Sequence, residues 1–152
     1  MTDTHAATVA PWATRLGYAG LVPFVALAAW TLLASPDQRG LPAQALLAYG
    51  ATITSFLGAI HWGLAMRSEP SGDTAAQDYL WGVVPSLVAW CALLADASIG
   101  LLILVVLLWA CYAVDRNRYS AQGLRHWLAM RLRLTLVASL SCLVATVRLP
   151  PA

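Results

Sequence analysis

Charged and polar residues divide the chain into five long apolar runs. Leu16–Ala34 is closed by Ser35-Pro36-Asp37, Leu41–Met66 by Arg67, Tyr79–Ala95 by Asp96, and Ser98–Val114 by Asp115-Arg116; the last run ends at Leu149. A helix needs about 20 mostly apolar residues to cross a bilayer core. The pattern predicts an all-α integral membrane bundle of five transmembrane helices, over about 16–34, 41–66, 79–95, 98–114 and 131–149. Residues 1–15 read as an amino-terminal tail with no basic residue before Arg15. The first run is long for a signal-peptide core, and Leu32-Leu33-Ala34 is a poor cleavage site, so this run is expected to remain as a helix.

The connections differ in kind. Asp96-Ala97-Ser98 is short enough to force a tight antiparallel hairpin. The segment SEPSGDTAAQD (68–78) is polar and acidic and is expected to be mobile. DRNRYSAQGLRHWLAMRLR (115–133) mixes arginine with Leu, Trp and Met. From about Leu124 it predicts a short amphipathic helix lying in the interface before the last span, arginines towards the headgroups.

Composition changes the solvent rather than the element count. The chain is 60% hydrophobic and 11% charged, with a mean hydropathy of +0.69. A soluble domain carries about 25% charged residues, so the deficit points to lipid. All nine basic residues are arginine. With alternating helices, Arg15, Arg67, Arg116, Arg118, Arg125, Arg131 and Arg133 fall on the amino-terminal side, and only Arg39 and Arg148 fall opposite. That asymmetry predicts a cytoplasmic amino terminus and a carboxy terminus on the far side, which is the periplasmic side if the membrane is the bacterial inner (cytoplasmic) membrane. A net charge of +2 without a basic stripe argues against nucleic acid as a partner. Cys91, Cys111 and Cys142 lie in apolar runs without a CxxC pair and read as small apolar residues.

Apolarity cannot bring helices together in lipid, so small residues must. Ala51, Ser55, Ala59 and Gly63 recur every four residues and mark a helix-packing side of the second span; Thr54, Gly58 and Ala65 form another. The second span is therefore expected at the centre, and the bulky fourth, with LLILVVLL, against lipid. Pro23 and Pro85 are expected to kink the first and third spans.

His61 is the one histidine inside a span, near its inner end beside Trp62. Tyr79, Trp81, Tyr112, Asp78 and Asp115 fall at a similar level. Two readings stand: an aromatic belt with interfacial arginines, or an intramembrane ionisable site. On the second, Asp115 or Asp78 accepts the imidazole proton, Tyr112 shares a hydrogen bond, and Pro85-Ser86 helps open the cavity. Asp115-Arg116 reads as a helix terminus with its own salt bridge. His5 and His126 lie outside the spans, so bis-histidine haem and a dedicated metal site are not expected, and no cofactor is assigned. The sequence holds no phosphate loop, GxSxG, HExxH or paired carboxylates, which argues against an enzyme.

The segments GYAGLVPF (17–24), YGATITSFLGAIHWGLA (49–65) and VPSLVAW (84–90), with the arginine-rich start of the last helix, resemble a bacterial and mitochondrial family of small membrane proteins. That family is a domain of unknown function and includes the transmembrane protein 69 group. The resemblance implies a polytopic inner-membrane protein and marks the His61-Trp62 and Pro85-Ser86 segments as family motif without giving them a role. No extended presequence is read before the first span, and a bacterial member is expected rather than a mitochondrial precursor. Size and helix count are also similar to the tryptophan-rich sensory protein group, an architectural likeness that carries no function.

Two functions follow as expectations. One is a non-catalytic assembly or stabilising protein, whose partners beyond membrane lipids are another inner-membrane protein or a second copy of itself. The other binds or transports a small hydrophobic ligand (quinone, tetrapyrrole or lipid) at His61, Trp62, Tyr79, Trp81, Pro85, Ser86, Tyr112 and Asp115.

Overall fold

The computed structural model describes residues 9–67 and 73–149. Six α-helices follow in order: α1 (Pro11–Ala19), α2 (Val22–Leu33), α3 (Gly40–Arg67), α4 (Asp73–Leu93), α5 (Ala97–Ala121) and α6 (Leu128–Thr146), the last preceded by a 3-10 turn at Arg125–Trp127. The described residues contain no strand. Of the segment expected to be mobile, 68–78, residues 68–72 lie outside them, and 73–78 are not a loop but the first turns of α4.

The first run is two helices rather than one, and it starts at Pro11, within the expected tail. Pro23 has no N–H to give the Ala19 carbonyl, so the ladder lapses at Gly20-Leu21. Tyr49 of α3 donates its hydroxyl to the Gly20 carbonyl at 2.9 Å and satisfies part of the break. Together Pro11–Leu33 is long and apolar enough to cross a bilayer, as are Gly40–Arg67, Ala97–Ala121 and Arg125–Thr146. α4 falls short of that apolarity, having a polar first turn, and it is the fifth member of the bundle.

α3 is central and packs against α2, α4, α5 and α6. Its buried face is Gly50, Thr54, Leu57, Gly58, His61 and Ala65. The Ala51 stripe behaves differently from expectation. Ala51 is buried and Ser55 half-buried, but Ala59 and Gly63 face outward, and a Cβ at Gly63 would meet nothing within 4 Å. A spacing of four drifts around a 3.6-residue helix, so the stripe leaves the interior as it descends.

The fourth apolar run lies outward on one face, with Leu102 and Val106 exposed, but not on the other. Leu101, Leu104, Leu107 and Leu108 of α5 are buried against the other helices, not against lipid. Glycines admit them: a Cβ at Gly50 would sit 2.6 Å from Leu104 Cδ1. The surface inverts the soluble pattern, with Trp30, Leu33, Phe56, Leu80, Val106 and Leu140 exposed.

α6 absorbs the predicted interfacial helix. Its helical path begins at Arg125, and Arg131 turns into the bundle instead of towards headgroups. α5 likewise continues past Asp115-Arg116 to Ala121.

Candidate functional site

Three helices each bring one ionisable side chain to a common level of the interior. His61 shares its face of α3 with Thr54, Gly58 and Ala65. Asp115 follows Leu104, Leu108 and Cys111 down α5. Arg131 begins the α6 face continued by Thr135, Ala138 and Cys142. The three residues are 1%, 2% and 6% exposed. A charge so deeply buried persists only when paired and hydrogen-bonded.

Asp115 is shared between two partners. Arg131 Nε donates to Oδ2 at 2.7 Å, and Arg131 Nη2 lies 2.6 Å from the same oxygen, close enough to pair but not aligned to donate. His61 Nε2 is 3.0 Å from Oδ1. A carboxylate only accepts, so Nε2 carries the proton and donates. His61 Nδ1 has no hydrogen-bond partner among the described residues. Asp115 therefore ties α5 to both α3 and α6, and it is not paired with the exposed Arg116.

A second set of contacts joins α4. Arg118 Nε lies 2.9 Å from Asp78 Oδ1, and Arg118 Nη2 donates to Gln77 Oε1 at 3.2 Å. Trp62 Nε1 donates to the Tyr79 carbonyl at 2.8 Å, and the two rings meet edge to face. Gly82 makes room for the indole, because a Cβ there would collide with it. Gly58 does the same for Pro85, which would stand 3.1 Å from an added Cβ.

The eight residues read from the sequence as a ligand site thus separate. His61 meets Asp115; Trp62 meets Tyr79; Pro85 packs on α3; Tyr112 packs its ring on Trp109. Trp81 lies against the core with a buried Nε1 that has no partner among the described residues, and Ser86 is half-buried. Asp78, the alternative acceptor for His61, pairs with Arg118 instead.

A cavity of about 580 Å³ lies on the other side of α3, and none of the eight lines it. Gly17, Gly20 and Phe24 wall it from α1 and α2, Ile53, Phe56, Leu57 and Ile60 from α3, and Met130, Leu134 and Ala138 from α6. It is of ordinary ligand-pocket size, which runs from about 300 to 1,000 Å³. Exposed Leu16 and Phe56 belong to its lining, so it opens towards the lipid-facing side. Arg131, Thr135 and Tyr119 are its polar members. Arg131 therefore belongs both to the Asp115 pair and to the cavity.

Arg131 and Thr135 escaped the sequence reading. Arginines in an amphipathic lead-in ordinarily face headgroups, and Arg133 is exposed in keeping with that, donating to the Tyr18 hydroxyl at 3.4 Å. The available signal was the spacing Arg131, Thr135, Ser139, one polar residue per turn on one side of α6.

The family described as protein of unknown function (DUF3429) matches residues 9–147. The chain belongs to that family. It is 36% identical over 135 residues to transmembrane protein 69 of Xenopus tropicalis and 30% identical over 135 residues to transmembrane protein 69 of Mus musculus. Each alignment covers 85% of this chain, which spans about half of each relative, 51% and 53%. No solved structure matches. The family and the apolar helices make this DUF3429 member a multi-pass membrane protein.

Proposed function

We propose that this protein is a non-catalytic binding protein of the inner (cytoplasmic) membrane that holds a small hydrophobic molecule between α1–α2, α3 and α6. The observation that carries the reading is the apolar cavity of about 580 Å³ with its few polar groups gathered at one corner. Such a mixture is what a ligand pocket offers: an apolar body for affinity and a few polar groups for orientation. The amino terminus is placed in the cytoplasm. With Arg131 buried, six arginines at one end still face two at the other, which supports that orientation. The bacterial placement rests on the sequence resemblance alone.

The test is to purify the protein in a mild detergent and extract its small molecules for mass spectrometry. Ala138→Leu and Gly17→Leu each fill the cavity. A co-purifying species retained by the parent and depleted from both variants supports the reading. Identical extracts from all three overturn it.

A second reading, an assembly partner of a membrane complex, draws on the outward-facing Ala59 and Gly63. Ala59→Leu and Gly63→Leu should then remove a co-purifying protein while leaving the extracted small molecules unchanged.

A further inference from the structure

Hydroxyls inside a membrane helix usually turn back on their own backbone, because hydrocarbon offers no partner. This chain follows that rule widely. Thr31 donates to the Leu27 carbonyl at 2.8 Å, Ser55 to Ala51 at 2.9 Å, and Ser141 to Val137 at 2.9 Å. Thr135 and Ser139 break it. Both are buried, and neither hydroxyl has a partner among the described residues. They continue the face that starts at Arg131, whose Nη2 is held by the ion pair to Asp115 Oδ2 at 2.6 Å.

Thr135 is 1% exposed and lines the cavity together with Arg131. A buried donor left unmatched costs free energy, and the cost is recovered when an acceptor arrives. Resting on the ligand-binding reading above, we propose that the ligand is a neutral amphiphile with a carbonyl-type head, seated so that the carbonyl oxygen accepts from Thr135 Oγ1 beside the Arg131 guanidinium. Its hydrocarbon body lies among Phe24, Leu57 and Ala138.

Charge selects the neutral head over an anion. The guanidinium of Arg131 is already matched by Asp115 Oδ2 at 2.6–2.7 Å. A carboxylate or phosphate head would enter a corner with no net positive charge and would face Asp115. A ketone, ester or quinone carbonyl needs only the unused hydroxyl hydrogen of Thr135. Thr135 thus acts as the specificity determinant and Arg131 as its companion.

The experiment uses the full chain in phosphatidylcholine nanodiscs. The probe is a long-chain methyl ketone bearing a diazirine near the end of its hydrocarbon chain. Photolabelled residues are mapped by mass spectrometry, and labelling is competed by the unlabelled ketone, the alkane and the carboxylate of equal chain length. Labelling should fall on the cavity wall, and the ketone should compete about tenfold better than either analogue, the scale of one hydrogen bond. Thr135→Val should erase that preference without abolishing cavity labelling, and Thr135→Ser should restore it. Cavity labelling with equal competition by ketone and alkane overturns the carbonyl head while leaving the cavity reading intact. Stronger competition by the carboxylate, or a preference that survives Thr135→Val, also overturns it. Absence of any cavity labelling overturns both readings.

Discussion

Around Gly100 the helices meet by shape, and around Asp115 they meet by charge. An added Cβ on Gly100 would lie 2.5 Å from the Ala92 carbonyl and 2.7 Å from Leu47, so α3, α4 and α5 close on one another with nothing between. Leu46, Leu47, Leu101 and Leu104 fill that end completely. At the arginine-rich end the same helices are joined by His61–Asp115–Arg131, Arg118–Asp78 and Trp62–Tyr79. Lipid supplies no hydrophobic drive between helices, so close packing and hydrogen bonding are the two means available. They have different consequences. Close packing excludes space, whereas long side chains that reach one another at points leave space beside them. The cavity lies where the second means takes over, and Arg131 is its border.

The largest effect should come from taking one member out of the charged end. Asp115→Ala strands Arg131 in a buried site and removes the acceptor of His61, which should cost about 3–5 kcal/mol. Thermal unfolding in detergent, followed by circular dichroism, measures it. The comparison sharpens with a triple variant, His61→Leu, Asp115→Leu and Arg131→Met, in which no charge is left unpaired. Replacing a whole buried ion network by apolar groups is often neutral or stabilising. The triple variant should therefore unfold well above the Asp115→Ala single. If both unfold together at low temperature, the charged end holds the bundle through shape after all.

Next in size is the packed end. Gly100→Leu forces a side chain into the Ala92 backbone and Leu47, and overpacking costs about 1–3 kcal/mol. The same unfolding measurement applies. A loss below 0.5 kcal/mol, roughly the scatter of neutral surface changes, would show that the α4–α5 hairpin can open at little cost.

Gly82→Ala probes the aromatic contact of the charged end. The new methyl occupies the place of the Trp62 ring, and Trp62 is 44% exposed, so the indole can swing outward. The loss should be about one hydrogen bond, the contact to the Tyr79 carbonyl, near 1 kcal/mol. A red shift of tryptophan emission should accompany it. An unshifted spectrum with full stability would mean that the indole keeps its place by another route.

These differences also explain what the sequence could show. Apolar runs report lipid exposure and length, so the helices were legible from Leu16 to Leu149. The run Leu16–Ala34 hid its break because Pro23 acts on the carbonyl four residues earlier, outside any hydropathy pattern. His61 was legible with Asp115 or Asp78 as its partner, because all three stand out as ionisable groups at one depth, but the sequence did not choose between the two carboxylates. Arg131 was not, since its sequence neighbours Arg125 and Arg133 carry the same charge and only the rotation of α6 separates them. The outward turn of Ala59 and Gly63 was hidden likewise: spacing fixes which residues share a face, not which face looks inward.

The smallest effect on the isolated chain is expected at that outward face. Ala59→Leu adds bulk on a face that is exposed among the described residues, so the variant's stability should match the parent's within about 0.5 kcal/mol. This null result is informative only beside a second measurement, the mass of the protein in native membranes after mild crosslinking. If the face meets a partner or a second copy, the crosslinked species disappears in Ala59→Leu although the fold does not change. If stability falls by 1–3 kcal/mol instead, the overpacking range, Ala59 is packed inside the bundle and α3 is rotated from the orientation described. The comparison between the two ends would then have to be redrawn, because His61 stands only two residues further along the same helix.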